Sequence, residues 1–337
     1  DNMMKVSIVI PTYNRADSME RLLTALNSQT FPHSDFEVVV SIDGSEDGTR
    51  EMIGKFPAAY TIHYIWHPNS GRVKACNRGI EAASGELLII LDDDMEPSPE
   101  FVEAHYLSHT SGEKLGVIGA APIFLDDSST FATRYIASEF NSRQKKMASP
   151  DYKFRIWDFY GGTFSIRRKT LLEVGLFDES FKTYGYEDME LARRLIKSGV
   201  KIIFNPKALC TQYYDENLEG LLKKTIHSGE RVVLLVSIHP ELFGELKLRE
   251  YNVQGWKWRW LRFILIWAAM LFPPTKGLII SFLKSFENSS EETQARLYAM
   301  AMDYFFWLGV WSEVRENKEY KPLIPKIKSY RYDPHAP

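Results

Sequence analysis

The chain has little cysteine, little net charge and no long apolar run. Only two of its 337 residues are cysteine, Cys76 and Cys210, on separate predicted internal elements and without metal-ligand spacing. The expectation is two buried free thiols in a reducing compartment. A formal net charge of −3 lacks the basic excess that a nucleic-acid partner normally demands. The start, Asp1-Asn2-Met3-Met4-Lys5, carries no apolar region of signal-peptide type, so the expected location is the cytoplasm. Between Arg262 and Lys276 the uncharged run falls short of the roughly 20 residues that span a bilayer, and Pro273-Pro274 interrupts it. No Gly-rich, Lys- or Arg-bearing phosphate loop follows the first strand; Pro11-Thr12-Tyr13-Asn14 stands there, which argues against a nucleotidyltransferase. Internal repeats and low-complexity segments are also missing.

What is present is a large apolar complement, 45% hydrophobic and 13% aromatic, in a chain longer than one core usually supports. One larger domain with an appendage is expected. Lys5–Ile10, Phe36–Ile42, Thr61–Ile65 and Leu87–Leu91 read as strands, the last a continuous apolar run typical of a strand buried on both faces. Helical spacing of Met19, Leu22, Leu23 and Leu26, then of Met52 and Ile53, then a Gly-rich loop and helix over 69–84, separates them. This alternation predicts an α/β fold with a doubly wound, mostly parallel sheet.

Three predicted strand ends carry polar, ligand-type residues: Thr12/Tyr13, Asp43, and Asp92-Asp93-Asp94. Ligands of open α/β sheets bind at such ends. Three adjacent carboxylates repel one another, and a hard divalent ion such as Mn2+ or Mg2+, shared with substrate phosphates, would offset them; an acidic turn is the plain alternative. The Tyr13 ring is placed to stack on a base or to pack on the first helix. Asp43 suits a base N–H or an Asx turn. Arg72 and Lys74, at a helix start, suit a diphosphate or solvent. Glu187-Asp188 opens a helix, where the macrodipole favours acids whether or not they act. Gly161-Gly162 permits close backbone approach by donor sugar or acceptor, or marks a bend, and Trp157 and Tyr160 suit sugar stacking or the core.

Taken in order, Ser7–Arg15, Asp43-Gly-Ser-Glu-Asp-Gly-Thr49, Asn69-Ser-Gly71 with Asn77-Arg-Gly79, Leu91-Asp-Asp-Asp94, Gly161–Arg168, Val174–Glu179 and Gly185–Leu191 resemble the motif series of family 2 glycosyltransferases. The resemblance covers about residues 5–215. It implies a GT-A fold, a nucleotide-sugar donor, a divalent metal and inversion at the anomeric carbon. It implies that Thr12, Tyr13 and Arg15 border a uridine-type pocket and that Asp43 recognises the base. Arg72, Lys74, Asn77, Gly161 and Gly162 complete the donor side. Asp92 and Asp94 match the first and third positions of the DxD motif, with Asp94 the direct metal ligand, Asp92 on ribose or the metal through water, and Asp93 shaping the turn. The base role falls to Asp188, with Glu187 orienting it or touching acceptor. Two positions depart from the pattern. Cys76 stands where the family often has Arg. Gln212 stands where it commonly has His, so that the metal rests mostly on Asp94 and diphosphate, or His227 or His239 substitutes.

Residues 216–240 and 291–316 read as helices. Trp256-Lys-Trp-Arg-Trp-Leu-Arg-Phe263 mixes aromatics with cations ahead of the apolar runs 264–272 and 277–283, a pattern expected of an interfacial element on a membrane, or else of internal or dimer packing. Lys321–Arg331 is a basic tail. The expectation is a catalytic domain over 1–215 and a helical, membrane-associating region over 216–337. A UDP-linked sugar would go to a glycan or lipid-linked hydroxyl at the inner membrane face. The alternative is a catalytically silent sugar-binding or scaffold protein there.

Overall fold

A computed structural model describes residues 5–330; residues 1–4 and those from Arg331 onward, including the end of the basic tail, lie outside the described residues. The described residues form two compact units, 5–182 with 187–215, and 183–186 with 216–330.

The first unit runs β1 (Val6–Thr12), α1 (Ala16–Leu26), β2 (Phe36–Asp43), α2 (Thr49–Lys55), β3 (Thr61–His67), α3 (Arg72–Ala82), β4 (Leu87–Leu91), β5 (Met95–Pro97), α4 (Phe101–Ser108), β6 (Leu115–Ala120), α5 (Phe131–Met147), β7 (Thr163–Arg167), α6 (Arg168–Val174), α7 (Glu187–Lys197) and β8 (Lys201–Gln212). Its eight strands lie in the order β3-β2-β1-β4-β7-β6-β8-β5. The first four are mutually parallel, as the strand–helix alternation predicts. The strand β7 then runs antiparallel to both β4 and β6, and β8 returns parallel to β6. Every residue of β1, β2 and β4 is buried, which is why β4 reads as an unbroken apolar run and β1 and β2 as mostly apolar ones, interrupted by Ser7, Glu37 and Ser41. The helix α1 buries Met19, Leu22, Leu23 and Leu26 and no other position, one stripe at helical period. Both cysteines are free and buried, as expected.

The second unit consists of α8 (Leu218–Ile238), α9 (Trp256–Leu271), α10 (Thr275–Lys284), α11 (Glu291–Glu316) and α12 (Leu323–Ser329). Its centre is the crossing of α8 on α11, where a Cβ on Gly229 would strike the Phe306 carbonyl and one on Gly309 the Ile226 carbonyl. The two backbones meet at glycines because nothing larger fits. The helix α9 turns Trp258, Arg262, Ile266 and Ala269 inward. Arg262, expected among the membrane-facing cations, is 1% exposed instead. Its guanidinium donates to Asp303 at 2.7 Å and to the Tyr251 carbonyl, and the Trp258 indole donates to the same Asp303 at 2.8 Å. A buried guanidinium needs a paired carboxylate, and Asp303 on α11 supplies it. No described helix is long and apolar enough to cross a membrane.

Candidate active site

The parallel registers of β1, β2 and β4 bring Thr12, Asp43 and the acids after Leu91 to one edge of the sheet. The three consecutive aspartates do not face one another. Asp92 turns to α3: its Oδ1 accepts from Arg72 Nε at 3.1 Å and Nη2 at 2.6 Å. Asp93 turns to β1, accepting from Thr12 Oγ1 at 2.7 Å, while Ser18 Oγ on α1 donates to its carbonyl. Asp94 turns to the end of β8, accepting from Gln212 Nε2 at 3.1 Å. The cation that offsets Asp92 is therefore a protein side chain, where repulsion alone had called for a metal ion.

Arg72 also reaches the acids of α7. Its Nη1 lies 3.7 Å from Asp188 Oδ1 and 3.9 Å from Glu187 Oε1. The other Asp188 oxygen, Oδ2, accepts from the Gly161 N–H at 2.9 Å. Asp188 Oδ1 and Arg72 Nη1 are buried atoms with no hydrogen-bond partner among the described residues, and they face each other across a gap too long for one. Gly161 and Gly162 enable this arrangement. A Cβ on Gly161 would overlap Asp188 Oδ1, and one on Gly162 would stand 2.6 Å from Asp92 Oδ2. Both glycines lie in the turn that leads into β7, and their close approach there is to the two carboxylates.

Burial pushes the Asp188 carboxyl above its ordinary range, while Arg72 and the Gly161 N–H pull it back. Burial raises Asp93 to about 6 against the Thr12 hydroxyl. Burial, then the Asp92 charge, raises Asp94 to about 7.

The remaining expected residues take varied places. Tyr13 is half exposed and Arg15 open to solvent. Asp43 spends both oxygens on the loop before α3, accepting from Ser70 N at 2.7 Å and Gly71 N at 2.9 Å, so it secures the loop that launches Arg72. Lys74 stands 4.0 Å from Glu179. Asn77 turns away from the three aspartates; its amide exchanges hydrogen bonds with the Phe177 backbone at 3.0 Å each way and also donates to Glu179 Oε1 at 3.2 Å. Tyr160 donates to the Gly119 carbonyl and packs on Phe140, and Trp157 lies under the Arg155 guanidinium. His227 pairs with Glu230 and His239 neighbours Glu241, both within the helical unit. Sequence reasoning missed Ser18, since a lone serine in a helix carries no signal of its partner, and gave Ser70 no role beyond its place in Asn69-Ser-Gly71.

A divalent ion fits one place in this set. Asp94 Oδ1 is buried without a hydrogen-bond partner among the described residues, and burial and like charge push its carboxyl above the ordinary carboxylate range. An added cation would relieve both. No cluster of three or more His, Cys, Asp or Glu side chains able to hold a metal occurs among the described residues. An ion here would rest on one or two carboxylates and take its other ligands from substrate phosphates and water, the usual habit of Mg2+.

A family model described as glycosyl transferase family 2 matches residues 7–176, and one described as the N-terminal domain of galactosyltransferase matches 141–216. The chain is 31% identical over 202 residues to glycosyltransferase AglE of Haloferax volcanii, covering 59% of this chain and 64% of that protein. It is 31% identical over 266 residues to validoxylamine A glucosyltransferase of Streptomyces hygroscopicus, covering 72% of this chain and 62% of that one. It thus spans less than two thirds of the length of these curated relatives. Among solved structures it is similar to mannosyltransferase PcManGT from Pyrobaculum calidifontis, in complex with GDP-Man and Mn2+, at a TM-score of 0.52 and 17% identity, covering 96% of this chain and 84% of that one. That likeness is one of fold.

Proposed function

The chain belongs to glycosyl transferase family 2, with its GT-A fold, and on that premise we propose that it transfers a sugar from a nucleoside-diphosphate donor to a hydroxyl acceptor with inversion. The observation that carries this reading is the Asp188 carboxylate, one oxygen fixed by Gly161 and the other buried, unbonded and beside Arg72. A base so held is oriented, and burial keeps its proton affinity up. The acceptor hydroxyl oxygen attacks the anomeric carbon from the face opposite the diphosphate. The bond from that carbon to the diphosphate oxygen breaks, and the hydroxyl proton passes to the Asp188 carboxylate. Glu187 stands beside it to orient base or acceptor.

On the donor side, Tyr13, Thr12 and Arg15 border the base at the end of β1, and UDP is the nucleotide that the motif series implies. Asp94, with Asp92, would hold a Mn2+ or Mg2+ ion. When bound, it would neutralise charge on the leaving diphosphate as a Lewis acid. Arg72 keeps Asp92 and Asp188 in one cationic field. A glycan or lipid-linked acceptor fits the reading.

Asp188→Asn and Asp94→Asn test it together. Asp188→Asn should bind UDP with Mn2+ at wild-type affinity, by calorimetry, and lose about 10^2–10^4-fold in transfer. Asp94→Asn should stay folded and lose Mn2+-dependent UDP binding. Near-normal turnover of Asp188→Asn would leave that residue a helix-terminal acid and nothing more.

A further inference from the structure

The helix α9 has two opposed stripes. At about 100° per residue, Trp258, Arg262, Ile266 and Ala269 fall on one side and are the positions turned inward. Trp256, Trp260, Phe263, Ile264, Trp267 and Leu271 fall on the other. Those outward residues are large, apolar and open: Trp256 is 63% exposed, Trp260 62%, Trp267 50% and Leu271 72%. Phe272, Leu278 and Phe282 extend the exposed apolar set into α10. A soluble monomer rarely leaves so many large apolar side chains in one place.

The charge around this stripe selects its occupant. From residue 251 to 286 the chain has no Asp or Glu, and it has five basic residues: Lys257, Arg259, Arg262, Lys276 and Lys284. Arg262 is consumed by Asp303, Arg259 donates to Asn252, and Lys284 pairs with Glu219. Lys257 is exposed beside the first tryptophan of the stripe, and Lys276 sits at the start of α10, past its last residues. An apolar, tryptophan-rich stripe whose own segment carries cations and no acid, with Glu219 held by Lys284 at the far end of α10, is complementary to an anionic lipid surface, with Trp at headgroup depth and Lys toward phosphate. A second copy of the chain would bring the same positive face to meet itself.

We propose that α9 and the start of α10 lie in the interface of an anionic membrane, apolar stripe down, without crossing it. The proposal stands apart from the glycosyl-transfer reading. Its test is co-sedimentation of the full chain with vesicles of phosphatidylcholine alone and of phosphatidylcholine with phosphatidylglycerol, at low and high salt. The chain should bind the phosphatidylglycerol vesicles, less at high salt, with tryptophan fluorescence quenched by brominated lipid. Trp260→Ser with Trp267→Ser should lose binding while keeping the wild-type melting temperature, because neither ring is packed inside. Lys257→Glu with Lys276→Glu leaves the stripe whole and should weaken binding by at least about tenfold. Absence of binding to phosphatidylglycerol vesicles at low salt would overturn the proposal. So would an oligomer in size-exclusion chromatography that the Trp260/Trp267 variant dissolves while vesicle binding of the wild type is nil.

Discussion

Two adjacent glycines divide the proposed chemistry into separable halves. Gly161 gives its N–H to Asp188, and Gly162 accepts the Asp92 N–H at 3.0 Å while leaving no room between itself and that carboxylate. An alanine at either position must displace the carboxylate beside it, since the other side of the clash is backbone. Gly161→Ala is expected to move Asp188 and lower kcat by roughly 10^2-fold with nucleotide affinity near wild type, as misplacement of a reacting group by about 1 Å does. Gly162→Ala is expected to move Asp92 and weaken Mn2+-dependent UDP binding. Steady-state kinetics and calorimetry on the two variants check the split. Equal losses in both measurements for both variants would deny it. Arg72 connects the halves from the first turn of α3, with its guanidinium between Asp92 and Asp188.

At the level of elements, the crossing of α8 and α11 sets a different kind of limit. Gly229 and Gly309 each sit against a backbone carbonyl of the opposite helix, which cannot rotate away as a side chain can. Alanine normally strengthens a helix interior by about 1 kcal/mol over glycine. Here each Gly→Ala change should destabilise by about 1–3 kcal/mol through overpacking, and the pair should be non-additive because both act on one crossing. Urea unfolding followed by helical circular dichroism measures this; a gain in stability would mean that the helices can part without loss. Neither glycine was legible as a contact in the sequence, where a lone Gly in a helical pattern reads as a tolerated weakness. The strands β1, β2 and β4 and the stripe of α1 were legible because each is uniformly buried or strictly periodic. The strand β7 was not. Thr163 and Ser165 interrupt its apolar pattern although both are fully buried, for they face His105 and His109 on and just after α4. The short β6 was hidden by its glycines: Gly116 packs under Phe164, and Gly119 under Thr163 and His105. In the candidate site, which residues stand at strand ends could be read from pattern. Where each carboxylate points could not, because adjacent aspartates look alike in sequence and diverge only through their partners on α3, β1 and β8.

For the molecule as a whole, those histidines make stability depend on pH. Burial lowers His105 to about 3, and burial with the Arg167 charge lowers His109 to about 4. Both are then neutral in the native state while the unfolded chain takes up protons below about 6.5, so their stabilising contribution is full above that pH and lost as pH falls toward 4. Asp93 and Asp94, raised to about 6 and about 7, act in the opposite sense, since the native state holds their protons first. A difference measurement cancels the aspartates. His109→Gln is expected to be less stable than wild type at pH 7, and the gap should narrow by about 2–3 kcal/mol on going to pH 4.5, measured by denaturant unfolding without divalent ions. A gap independent of pH would place a charged imidazole at that position in the native state. The cysteines offer a complementary reading of the same molecule. Cys76 and Cys210 are wholly buried, burial pushes the Cys76 thiol up to about 12, and no cysteine lies beyond residue 215. A thiol-specific reagent is thus blind to the native protein and to the helical unit altogether; its rate of consumption becomes a clock for the opening of α3 and the sheet in the first unit, readable while the protein sits on vesicles or nucleotide.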